Sequence, residues 1–152
     1  MAMQITRAGE YAIKSLVYLA EKPADAHIMA SEIATAENIP INFVRKILET
    51  LVKGNLVNSF RGAGGGFCLN APPEEISVRQ ILEIVEGPIA INQCLTPESC
   101  VNRDICPLNP IWVEAQNAMV AVFARYSLAD LAQQRNLILQ RIAGESTPLA
   151  IS

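Results

Sequence analysis

Residues 29–70 read MASEIATAENIPINFVRKILETLVKGNLVNSFRGAGGGFCLN. The first eight form a short helix with Ile33 turned inward, and Glu37-Asn38 turns the chain. A longer helix starts near Pro40 and runs to about Lys53. Phe43, Val44, Ile47, Leu48 and Leu51 recur at the helical period and give it one apolar face. Gly54 follows as a stop signal. Short helix, tight turn and longer helix make a helix-turn-helix pattern. Leu56–Phe60 then reads as a strand, Arg61–Gly66 (RGAGGG) as a turn and Phe67–Asn70 as a returning strand. This glycine-rich hairpin reads as a wing, because its glycines allow positive φ at the tip and close approach to another backbone. The rival reading, a phosphate cradle for a nucleotide, lacks the Lys-Ser/Thr pair and the helix N-terminus such a loop needs.

Working outward, residues 6–21 predict a helix capped by Thr6. Ala12, Ile13, Leu16, Val17 and Ala20 supply its apolar face, and Pro23 lies beyond its end. Ser77 caps a further helix to Glu86, with Val78, Ile81, Leu82 and Val85 inward. A long helix starts at Asn109 or Ile111 and ends at Tyr126. Trp112, Ala115, Met119, Val122, Phe123 and Tyr126 mark its apolar positions, and Glu114 and Arg125 are its charged residues. A helix so apolar outside a compact winged domain needs a partner, and a second copy of the chain is the natural one. Ser127-Leu-Ala-Asp130 opens a short helix in capping-box style, and the sequence loses periodicity after about Gly144. The expected fold class is mainly α: a winged helix-turn-helix with a two-stranded wing and a long C-terminal dimerisation helix. The expected divisions are a DNA-binding unit at 1–86, a cysteine-bearing sensor loop at 87–108, dimerisation helices at 109–135 and a tail at 136–152.

The 152 residues are 51% apolar, enough for a sizeable core, and carry a net charge of −3. No run approaches the ~18 uninterrupted apolar residues of a membrane span, so no membrane partner is expected. Charge is unevenly placed. Residues 38–70 hold four cations against Glu49 alone, a net of +3, whereas residues 71–110 hold two against six anions, a net of −4. A basic segment inside an acidic protein is the footprint of a nucleic-acid contact. Lys14 and Glu21 interrupt the early apolar run and no export-type cleavage region follows, so a cytoplasmic location is expected. No nucleophile–base pair stands out, and an enzyme is not expected.

Three of the four cysteines lie at 94, 100 and 106, in CLTPESCVNRDICPLNP. At about 100° and 1.5 Å per residue, thiols six apart point to different sides of a helix. They converge only in a loop, and Gly87-Pro88, Pro97, Pro107 and Pro110 mark one. A loop with three thiolates can hold a soft metal or an iron–sulfur cluster. A disulfide with a spare thiol, or three inert cysteines, remain open, although a cytosolic chain disfavours the former and the polar surroundings the latter. Cys68, on the returning wing strand, reads as a small hydrophobe. His27 reads as an exposed loop residue.

With helix-turn-helix, R-G-x-G-G-G wing and C-x5-C-x5-C in this order, residues 3–135 resemble the Rrf-type family of bacterial winged-helix regulators, with its iron–sulfur-sensing IscR-like and NsrR-like branches. The resemblance implies a homodimer on a pseudo-palindromic double-stranded DNA operator, one helix of each subunit in the major groove and the wing at the minor groove. It places Asn42, Arg45 and Lys46 on the exposed face of the recognition helix, and Arg61 at the wing with Gly62 and Gly64. Arginine pairs in two-pronged fashion with guanine and suits a narrow minor groove, which agrees. Read alone, each cation would be a solvated surface charge, and Asn42 a helix cap. IscR-like members carry an acidic specificity residue where this chain has Arg45, which implies a different operator. The resemblance further implies an iron–sulfur cluster, 2Fe–2S or 4Fe–4S, on Cys94, Cys100 and Cys106. IscR-like members add a histidine three residues on, where Asn109 stands here. NsrR-like members use a carboxylate of the other chain, aligned with Glu10 of the partner subunit; within one chain, an acid at that place simply favours the helix dipole. An iron position left open to water or a small molecule also fits a sensor. The alternatives are a thiol–disulfide or zinc switch on the same cysteines, or a partner-binding protein with vestigial DNA affinity.

Overall fold

The computed structural model describes residues 5–96 and 100–145; Pro97 in the cysteine loop and the tail beyond Glu145 lie outside the described residues. Helix α1 spans Arg7–Ala20 and starts where Thr6 Oγ1 accepts from the Gly9 N–H at 3.4 Å. Helices α2 (Ala30–Glu37) and α3 (Ile41–Lys53) form the helix-turn-helix. Asn38 turns the chain between them at φ 54, a left-handed conformation that asparagine tolerates better than most residues. Strands β1 (Val57–Phe60) and β2 (Gly66–Leu69) pair antiparallel, Val57 opposite Leu69 and Phe60 opposite Gly66. Ile28 adds a one-residue bridge on the outer side of β2, exchanging backbone hydrogen bonds of 2.9 and 2.8 Å with Phe67.

Helix α4 (Val78–Glu86) opens on a full capping box between Ser77 and Gln80. The cysteine loop follows, then α5 (Asn109–Arg125) and α6 (Leu128–Glu145). The core gathers Ala12 and Leu16 of α1, Ile33 of α2, Val44, Leu48 and Leu51 of α3, and Ile81 of α4. Each fully buried leucine, isoleucine or valine among them contributes roughly 1.5–3 kcal/mol.

The chain leaves this core at Glu86 and re-enters it at Leu128, which is fully buried. The re-entry is pinned by a bridge between Ser77 and Ser127: Val78 N–H donates to Tyr126 O, and Leu128 N–H to Ile76 O, both at 2.9 Å. Cysteine loop and α5 are therefore one excursion anchored at both ends. Ser127 and Asp130 cap α6 reciprocally, as their spacing predicts, with bonds of 2.9 and 3.2 Å.

Two expectations need correction. Phe43 is 52% exposed, because the buried stripe of α3 is Val44, Ile47, Leu48 and Leu51 and Phe43 sits at its margin, edge-on to Tyr11. Helix α6 is not short. It runs 18 residues through a stretch of Leu, Ala, Gln and Arg, strong helix formers that continue the helix without burying it.

Candidate DNA interface and cysteine loop

Asn42, Arg45, Lys46 and Glu49 are exposed on α3. Their spacing of three, four and seven puts them on one helix face, opposite the core stripe. Between that face and the wing lies a groove of about 760 Å³. Arg45 and Glu49 line it from α3, Met29, Ala30 and Ser31 from the start of α2, and Gly62–Gly66 from the wing. The start of α2 brings unpaired N–H groups and the positive end of a helix dipole, which favour phosphate oxygens. Gly62 and Gly64 take φ 88 and 75, values that open the tip and that side chains with a Cβ rarely adopt. Arg61 is exposed at the base of this turn. Thus Arg45, Gly62 and Gly64 share the groove, while Asn42, Lys46 and Arg61 stand on the exposed surface of the elements that form it.

His27, Phe60 and Glu49 also belong to this groove, and sequence reasoning missed them. His27 stacks on Phe60 with ring centroids 4.0 Å apart and planes 8° from parallel. Its Nδ1 lies 2.9 Å from Gly64 O. A carbonyl only accepts, so Nδ1 carries the proton. The signal available in the sequence was a bulky aromatic next to RGAGGG, but its partner lay 33 positions upstream.

None of the four cysteines forms a disulfide. Cys94 is half-buried in a 3-10 turn (Gln93–Leu95), where Asn92 Oδ1 accepts from its N–H at 3.1 Å. Cys100 is exposed, and Cys106 is half-buried after a second 3-10 turn (Arg103–Ile105). Cys106 O accepts from Asn109 N–H at 3.2 Å, so the third cysteine, in extended backbone just before the Leu108 N-cap, leads directly into α5. Deeper in α5, Gln116 Oε1 accepts from Ile91 N–H at 3.2 Å and ties the helix to the start of the loop. The Asn109 side-chain oxygen is buried without a hydrogen-bond partner among the described residues.

Among the described residues, no three Cys, His, Asp or Glu side chains gather closely enough to hold a metal ion. Within one chain Glu10 is exposed on α1, with Lys14 Nζ at 3.9 Å. The thiols themselves suit a soft iron centre: three on one loop, none tied up in a disulfide; the Asn109 amide oxygen, a hard donor, does not. Cys68 is half-buried on β2 and lines a mostly apolar cavity of about 480 Å³ on another part of the winged unit.

A winged helix-turn-helix with this groove defines a DNA-binding transcriptional regulator. The chain belongs to the Rrf2 family, described as iron-dependent transcriptional regulators, which its residues 5–134 match. It is 31% identical over 131 residues to the regulator NsrR of Halalkalibacterium halodurans, across 85% of this chain and 90% of the relative. It is 28% identical over 130 residues to the regulator CymR of Bacillus subtilis, across 86% of this chain and 90% of the relative. The solved structure of that CymR, the global cysteine regulator of B. subtilis, superposes with a TM-score of 0.72 at 27% identity, covering 87% of this chain and 98% of its own. Among the described residues, no helix is long and apolar enough to cross a membrane.

Proposed function

We propose that this chain is a homodimeric transcriptional regulator whose operator affinity is set by an iron–sulfur cluster on Cys94, Cys100 and Cys106, with Glu10 of the partner subunit as fourth ligand. The observation that carries the reading is the placement of three disulfide-free thiols on the loop that ends in the first turn of α5. Such a cluster, when bound, supplies a centre that changes charge and ligation with redox state or with small molecules. The chain does the rest. Asn92 orients Cys94, Cys106 caps α5 through its carbonyl, and Gln116 ties α5 to Ile91. A rearrangement of the loop therefore moves α5, and α5 in a dimer sets the separation of the two reading heads. Half-sites are met only at a fixed spacing, so that separation controls affinity. Coupling runs both ways: operator duplex stabilises the cluster state that binds it, by the same factor.

The test is iron, acid-labile sulfide and the visible spectrum of protein purified without oxygen, beside Cys106→Ala. Iron and sulfide that disappear in the variant support the reading, and their ratio per chain separates 2Fe from 4Fe. Equal operator binding by cluster-loaded and cluster-free protein at fixed salt sinks it.

A second reading keeps the regulator and replaces the sensor with a thiol–disulfide or zinc switch. Its support is the exposure of Cys100 and the likeness to a regulator named for cysteine. It expects no visible absorption, and either bound zinc or, after a mild added oxidant, a mass lower by two hydrogen atoms.

A further inference from the structure

We infer that His27 is a positioning residue of the wing, holding the RGAGGG turn in the conformation that meets DNA. The inference rests on the reading of the wing as a DNA contact. Left alone, a glycine-rich turn is the most flexible part of such a hairpin, since glycine loses more backbone freedom on ordering than any other residue. Here three contacts order it from outside the hairpin. The His27 ring stacks on Phe60, the residue immediately before Arg61. Its Nδ1–H donates to Gly64 O at the tip. Its neighbour Ile28 pairs with Phe67 on the return strand. Gly66 fits because the 27–28 segment runs against it: a Cβ there would lie 2.8 Å from Ile28 O, and its φ is 145. One imidazole thus grips both the base and the tip of the turn, on either side of Arg61. The segment carrying it leads directly into α2, so the wing is indexed to the helix-turn-helix through a ring and not through the hairpin alone.

The test uses the full chain and a duplex selected by the wild-type protein from a random pool. His27→Ala, His27→Phe (ring without the Nδ1 bond), Phe60→Leu and Arg61→Ala are compared by amide exchange and by affinity. Losing stack and hydrogen bond together should speed exchange of the Gly64–Gly66 amides by roughly tenfold and weaken the duplex by a similar factor. His27→Phe should recover part of both. Since His27 acts through the wing, the affinity loss should largely vanish when Arg61 is already alanine. Unchanged exchange in His27→Ala overturns the brace. So does faster exchange with full affinity, or an affinity loss that simply adds to that of Arg61→Ala. Arg61→Ala alone reports on the other premise: if it binds like wild type while exchange in His27→Ala rises, the wing reading is what has failed, and the brace has no DNA role.

Discussion

Glu86 Oε1 accepts both the backbone N–H of Thr6, at 2.9 Å, and the Thr6 hydroxyl, at 2.6 Å, across 80 positions of sequence. The Thr6 hydroxyl in turn accepts from Gly9 N–H. A carboxylate is thereby placed at the start of α1, where unpaired N–H groups and the helix dipole favour an anion. The contact joins the helix that carries Glu10 to the last residue of α4, from which the cysteine loop departs. Glu86→Ala should cost about 1–2 kcal/mol in denaturant unfolding, and Glu86→Gln less, because the amide oxygen still accepts. Gly9→Ala should cost less than Glu86→Ala, since its methyl would push the flexible Glu86 carboxylate off Thr6 while alanine itself favours the helix. Unfolding midpoints of the three variants, at equal slope, check this.

Arg45 and Lys46 sit side by side on α3, and they are expected to fail differently. Arg45 lines the groove and has the fork that pairs with guanine. Its loss should cost ~1–3 kcal/mol on the selected duplex and relax preference at one base pair. Lys46, exposed on α3 outside the groove lining, can reach only phosphate, so its loss should weaken all duplexes alike and lower the salt slope by roughly one. Titrations at several salt concentrations on specific and scrambled duplexes separate them. Equal effects of both variants on both duplexes would reduce Arg45 to a phosphate contact.

These elements were readable because their signals are local. The stripe Val44, Ile47, Leu48, Leu51, the glycines at 62 and 64, and the caps at Thr6, Ser77 and Ser127 each declare themselves within a few residues. What escaped depends on distance along the chain. Nothing near His27 announces Phe60 or Gly64, nothing near Thr6 announces Glu86, and Ile28 reads as a loop residue until Phe67 lies beside it. Phe43 was misplaced for a related reason: periodicity marks a helix face but not where the neighbouring helix stops covering it. The length of α6 was hidden because its extension buries little, and so carries no period to read. The cysteine spacing was plain in sequence, yet spacing gives a list of donors and not their convergence.

Arg135 is the bolt between α6 and the helix-turn-helix unit. Its Nη2 meets Glu37 Oε1 at 2.6 Å and its Nε meets Glu21 Oε1 at 2.9 Å. The Glu37 hydrogen bond first, and Glu21 after it, outweigh partial burial and raise the guanidinium's pKa above its ordinary value. The Glu37 side chain is only 9% exposed, so removing its partner strands a carboxylate away from water. Arg135→Met should cost about 2–3 kcal/mol. Arg135→Lys should recover only part, because an ammonium donates from a single nitrogen, whereas the guanidinium meets Glu21 and Glu37 through two different nitrogens of a planar fork. Thermal unfolding of both variants tests the order; a Met variant as stable as wild type would make the triad ornamental.

Helix α5 poses the sharpest packing problem. None of its 17 residues is buried; Ile111 and Val122 are 56% and 42% exposed, and Tyr126 just past its end is 44% exposed. An apolar helix anchored at both ends cannot fold back to cover itself, so a second copy is the expected cover. A stable pair needs roughly 1,200–2,000 Å² of buried surface. Val122→Asp would put a charge into that seam. It should convert the protein to monomer in sedimentation equilibrium and remove the concentration dependence of its unfolding temperature. The same variant should bind a single half-site as wild type does, but lose the advantage of two half-sites spaced about one helical turn, ~34 Å, apart. A Val122→Asp protein that stays dimeric, or keeps that advantage, would show that the two copies meet elsewhere. The path from cysteine loop to operator spacing would then need another carrier than α5.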